Sequence, residues 1–132
     1  MISKSDLLIN AGERLQDAEV LLQNKRFDGA VYLSGYAIEL ALKARICRTL
    51  RWSDFPESRN EFQSYQSFKT HNLDVLLHLS GVENSIRKRF PAHWQVVAAW
   101  NPELRYKPLG TATRNDVENM IKSTKVILRA LQ

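Results

Sequence analysis

Two runs of helical hydrophobic periodicity with three residues between them constrain this chain more than any other feature. In the first, from Ser5 to about Asn24, Leu8, Ala11, Leu15, Ala18 and Leu22 recur at steps of three and four, the spacing of one helix face. In the second, from Asp28 to about Leu50, the residues Ala30, Ser34, Ala37, Ala41 and Ala44 follow the same steps. That second helix would span roughly 35 Å. Asn24-Lys25-Arg26 is a link short enough to force a reversal, so the two helices are expected to lie antiparallel. Asp28 is the expected cap of the second.

The second helix carries another line beside the small-residue seam. Tyr32, Tyr36, Glu39 and Lys43 stack on a neighbouring face. A seam of alanines lets another helix come close, but a carboxylate placed beside such a contact is costly unless it is paired. Glu39 and Lys43 stand at the i,i+4 spacing of an intrahelical ion pair. The seam is therefore expected to face the bundle interior, with Glu39 meeting a cation from elsewhere, Arg105 being the expected one. The tyrosines are expected to be half-buried, with their hydroxyls reaching water.

Beyond Leu50 the periods are shorter. Residues 51–69 have no clean repeat and contain Pro56, the mark of a functional, mobile or partly helical connection. Thr70 or Asn72 is expected to cap a short helix through Leu73, Leu76, Leu77 and Leu79, ended by Gly81. A further stretch starts near Val82 and meets Pro91, which restarts a helix more readily than it continues one. Asn101-Pro102 ends that segment. Thr113 with Asp116 has the form of a capping box, and Val117, Ile121, Thr124, Leu128 and Leu131 form the stripe of a last helix. No segment alternates as a strand does. The expectation is an all-α, up-and-down antiparallel bundle of about five helices, forming one domain over residues 1–132.

Composition narrows the functions open to such a bundle. The apolar runs are short and broken by charge, well below the ~20 residues of a membrane span. The opening MISKSDLL turns polar at once, which predicts no signal peptide and a cytoplasmic location. Cys47 is alone and the three histidines, His71, His78 and His93, have no HExxH spacing, so no disulfide, metal site or cofactor is expected. No GxxxxGK or GxGxxG loop occurs, so any nucleotide site must be assembled from scattered side chains. The net charge of +5 sits entirely in the second half: residues 1–66 hold nine Lys/Arg and nine Asp/Glu, residues 67–132 ten and five. Arg45, Arg48 and Arg51, then Arg87-Lys88-Arg89, then Arg105 and Lys107 form local clusters. Such grouping favours an anionic partner, a nucleotide, RNA or an acidic protein face, although the same net charge also suits simple solubility.

Three pieces stand in a telling order. They are Tyr36-Ala37-x-Glu39-x-x-Leu42-Lys43-Ala44 on the long helix, Thr70-His71-x-Leu73-x-x-Leu76-Leu77 opening a short one, and Arg105-Tyr106 before the last. Together they resemble the HEPN family (higher eukaryotes and prokaryotes nucleotide-binding), over most of the chain. The resemblance implies a four- or five-helix bundle that usually forms homodimers. It also implies a partner role beside a small nucleotidyltransferase, often in toxin–antitoxin or defence modules, with nucleotide or RNA as ligand. On this chain the ligand-binding residues implied are Tyr36, Glu39, Lys43, His71, Arg105 and Tyr106. A second branch of the family consists of metal-independent ribonucleases with an Arg and a His four to six residues apart. Arg87 and His93, with five residues between them, meet that count. Here the arginine would stabilise phosphorane-like charge and the histidine would move the 2′-hydroxyl proton. The sequence departs from that branch at Lys88 and Gln95, where Asn and Tyr are usual, and Pro91 falls inside the pair. The expected function is therefore a non-catalytic nucleotide- or RNA-binding or partner module. A ribonuclease using Arg87 and His93 is the alternative, and a helical adaptor with no nucleic-acid role is the second.

Overall fold

The computed structural model of the chain describes residues 1–106 and 110–132. Helix α1 (Lys4–Gln23) opens with the Ser3 hydroxyl accepting from the Asp6 amide, and α2 (Phe27–Leu50) follows at once. The turn between them is a Schellman closure. The amide of Arg26 bonds the Leu21 carbonyl at 2.8 Å and that of Lys25 bonds Leu22, with Lys25 left-handed at φ 60°. The far end of α2 repeats the device: Trp52 bonds Cys47 at 2.8 Å and Arg51 takes φ 58°. Asp28 does not cap α2. It lies inside the first turn, and its carboxylate instead accepts from the amides of Gly110 (2.7 Å) and Ala112 (3.0 Å), fastening the approach to the last helix.

Residues 51–69 are more ordered than their lack of period suggests. Ile2–Ser3 (β1) and Asp54–Phe55 (β2) pair antiparallel, Ile2 opposite Phe55. This strand pair was not expected. It forms because the α1–α2 hairpin brings the start of one helix beside the end of the other. Phe55 is buried, and Phe62, Phe68 and Trp52 gather around it with ring centroids 6.2–6.5 Å away. Two 3-10 turns, Glu61–Ser64 and Gln66–Phe68, carry Phe62 and Phe68.

The remaining helices are α3 (Leu73–Leu79), α4 (Glu83–Arg89), α5 (Pro91–Ala98) and α6 (Arg114–Leu131). Asn72, not Thr70, caps α3 through its side chain on the Val75 amide. Gly81 takes φ 81° after α3, a conformation that L side chains rarely adopt. Pro91 begins α5, as expected, and splits this stretch into two short helices. Thr113 and Asp116 make both bonds of a capping box at the head of α6. The architecture is an all-α bundle, with six α-helices among the described residues.

The alanine seam of α2 is buried throughout, and the Ser34 hydroxyl within it donates to the Ala30 carbonyl at 2.8 Å. α1 and α6 both pack against α2 and also meet each other. On α1 the buried line runs through Leu7, Ala11 and Ala18, so Leu8, expected in the stripe, stands at its rim and is exposed. On α6, Val117, Ile121, Thr124 and Leu131 are buried and Leu128 partly so. Trp100, just past α5, drives its indole onto Gly35 so closely that a methyl there would meet Cγ at 2.1 Å. No described helix is long and apolar enough to cross a membrane.

Candidate functional site

Glu39 is the one fully buried charged side chain among the described residues, at 2% exposure. A carboxylate in that position must be compensated, and two groups do so. Lys43, one turn along α2, places Nζ 3.1 Å from Oε2. His71, from the segment before α3, places Nδ1 2.9 Å from Oε1. Lys43 also lies over the Phe55 ring, 5.5 Å from its centroid, so its ammonium is held between carboxylate and aromatic face. Tyr36 completes the line. Burial first, and then the negative charge of Glu39, pushes its phenol above the usual range.

His71 is positioned by local chemistry on both sides. The Asn72 amide donates to Thr70 Oγ1 at 3.0 Å, and Asn72 Oδ1 accepts from Val75 at 3.1 Å. These bonds set the backbone, and Glu39 sets the ring. The imidazole is nonetheless 66% exposed, and its Nε2 has no partner among the described residues. Two clefts meet at this ring. One, about 330 Å³, runs past Tyr36, Lys43, Phe55, Glu57 and Lys69. The other, about 530 Å³, runs past Asp74, Trp100, Asn101 and Glu103. Trp100 Nε1 is buried without a hydrogen-bond partner among the described residues.

The fold thus brings four of the sequence candidates together: Tyr36, Glu39, Lys43 and His71. Arg105 and Tyr106 end the 3-10 turn Pro102–Tyr106, and their side chains, with the expected Arg105–Glu39 contact, lie outside the described residues. Lys69, Asp74 and Trp100 join the site without having been singled out for it. Lys69 and Asp74 flank the Thr70-His71 motif in sequence, which was the only signal for them. Trp100 gave none, because an apolar ring near a helix end has the pattern of any core anchor.

Arg87 and His93 sit in separate hydrogen-bond networks. The Arg87 guanidinium donates to Glu83 Oε2 at 3.1 Å and Asp74 Oδ1 at 2.9 Å, and these bonds raise its pKa further. Trp94 Nε1 donates to the same Asp74 oxygen at 3.0 Å. His93, on α5, bonds the buried Ser123 hydroxyl of α6 through Nδ1 at 2.9 Å. No described hydrogen bond or shared partner joins the two. Among the described residues no group of three or more His, Cys, Asp or Glu side chains is placed to hold a metal ion.

A helical bundle with a buried, cation-paired carboxylate beneath two clefts is the class that this geometry defines. Residues 5–54, comprising most of α1, all of α2 and the approach to β2, match the family model of the HEPN domain. The match covers 50 of the 132 residues, and over α1 and α2 the chain is similar to that family. No curated protein and no solved structure matches the chain.

Proposed function

We propose that this chain is an HEPN module that binds a phosphate-bearing ligand, a nucleotide or RNA, where the two clefts meet at His71. One observation carries the reading. Glu39, which the core would not need and which costs several kcal/mol to desolvate, holds an exposed imidazole and an ammonium beside concave surface. Lys69 and His71 supply hydrogen-bond donors for phosphate, Lys69 adds positive charge, and the half-buried ring of Tyr36 lines the smaller cleft. Arg105 and Tyr106 belong to the same proposal by sequence, since they follow Glu103 of the larger cleft. The basic second half of the chain supports an anionic ligand.

In this reading the module acts as a homodimer beside a small nucleotidyltransferase, in a toxin–antitoxin or defence-type system. The support for that context is the ordered set of motifs and the family match to residues 5–54. Cleavage through Arg87 and His93 is not favoured, because Arg87 is neutralised by two carboxylates.

Fluorescence anisotropy with a labelled single-stranded RNA, and with ATP, tests the binding reading. Wild type is expected to bind one or both, with RNA affinity falling steeply between low and moderate salt. Lys69→Ala and His71→Ala are expected to weaken it. A folded wild-type protein that binds neither at low salt overturns the reading. Co-purification with a nucleotidyltransferase encoded beside it tests the partner.

A further inference from the structure

We propose that the groove between α1 and α6 is a docking site for an acidic amphipathic helix of another protein. The groove, about 280 Å³, is lined by Leu8, Ala11 and Leu15 of α1, Ala41 of α2, and Leu128 and Leu131 of α6. It shares no lining residue with the two clefts at His71, and the proposal stands apart from the ligand reading above. Its apolar edge is open to solvent: Leu8 is 42% exposed and the next residue, Ile9, 60%.

Gly12 points to a helix as the occupant. It stands exposed in the interior of α1, borders the groove, and has Leu8 one turn before it and Leu15 one turn after. Glycine weakens a helix relative to alanine, and nothing in the bundle requires it here. A Cβ at this position would meet no atom of the rest of the protein within 4 Å. A notch between two leucines does serve a helix laid across the groove, because it lets a second backbone come close. Leu8 and Leu15, about 10 Å apart along α1, then meet apolar side chains spaced three or four residues apart on that helix.

The rim sets the charge of that helix. Arg129 lines the groove and makes no ion pair among the described residues, whereas Lys125 is matched by Glu19. Arg45 and Arg48 follow Ala41 at steps of four and seven, so they extend the same face of α2 beyond the groove. Neither makes an ion pair among the described residues, and Arg45 Nε is buried without a hydrogen-bond partner. Burial first, and then the charge of Arg48, draws the Arg45 pKa below the usual range. Three guanidinium groups without a counter-anion thus border an apolar floor, and carboxylates flanking the apolar stripe of a docked helix supply one. A second copy docked there would bring the same cations and a net charge of +5 against them.

The test is fluorescence anisotropy of the full chain with a labelled synthetic peptide of about 18 residues, long enough to form a helix, with leucines at helical spacing and glutamates on either side. Wild type is expected to bind it, more weakly as salt is raised. A scrambled peptide of the same composition, and a version with lysine for glutamate, are expected to bind at least about 10-fold more weakly. Gly12→Gln fills the notch with a better helix former, so its urea midpoint should not fall while peptide affinity drops at least about 10-fold. Arg129→Glu is expected to weaken the acidic peptide to a similar degree and to strengthen the lysine version. A folded wild type that binds no peptide overturns the proposal, as does equal binding of the scrambled one or affinity unchanged in both variants. Sedimentation tests the other occupant: self-association of wild type that Gly12→Gln abolishes would assign the groove to a second copy and overturn the proposal too.

Discussion

The indole of Trp100 lies on the backbone of Gly35, at a distance that leaves no room for a side chain on α2. This contact seats the end of α5 against the long helix and shapes the wall of the larger cleft beside His71. The ring also meets Tyr32 at 5.9 Å between centroids. Gly35→Ala would force the buried indole aside, since its Cβ would fall 2.1 Å from Trp100 Cγ. Loss of about 1–3 kcal/mol by chemical denaturation is expected, with the shift in Trp fluorescence of a moved indole.

The ion pair of Glu39 and Lys43 gives an asymmetric prediction. Lys43→Met leaves a buried carboxylate supported only by an exposed imidazole, and about 1–3 kcal/mol of stability is expected to be lost. Adding Glu39→Met removes the stranded charge, so the double variant should recover most of the loss. Urea midpoints of the two single variants and the double variant decide this. A double variant no more stable than Lys43→Met would show that Glu39 is not strained by losing its partner.

Asp28 ties the approach to α6 to the head of α2, and its effect depends on pH. The amides of Ala112 and Gly110, in that order, hold its carboxyl below the usual aspartate range. A carboxyl whose folded pKa is depressed stabilises the fold above its unfolded pKa, and loses that contribution as pH falls through the folded value. Asp28→Asn should therefore lower the urea midpoint at neutral pH. As pH falls through the folded value of Asp28, the variant and the parent should converge. A gap that persists in acid would mean that the amide bonds are not the source.

Two non-glycine residues, Lys25 and Arg51, hold left-handed backbone just past the C-terminal ends of α1 and α2. Such a conformation costs an L-residue of order 1 kcal/mol that glycine avoids, partly offset by the greater freedom of glycine in the unfolded chain. Lys25→Gly is expected to raise stability by about 0.5 kcal/mol, read from the denaturation midpoint. A fall in the midpoint would show that the Lys25 side chain contributes more than its backbone conformation costs.

Much of the bundle was legible because it is locally encoded. The seam of α2, the Pro91 restart and the Thr113–Asp116 capping box all rest on spacings of three and four residues or on one residue's backbone preference. What escaped was set by long-range contact. The β1–β2 pair joins residues more than fifty positions apart, and nothing in a two-residue strand marks it. Leu8 has the helical spacing of a core residue but lies at the rim, because the partner helices meet α1 along Leu7, Ala11 and Ala18. Asp28 has the chemistry of a cap and was drawn instead to two amides over eighty residues away.

The candidate site divides the same way. Sequence alone determined that Tyr36, Glu39 and Lys43 share a helix face, since a regular helix fixes which residues stack, and it put Thr70 and His71 at a helix start. Only the tertiary structure decided that His71 answers Glu39. That choice follows from burial: α2 lies at the centre of the bundle, so its carboxylate had to find hydrogen-bond donors within reach. The packing of α3 against α2 brought an imidazole there from thirty-two residues away.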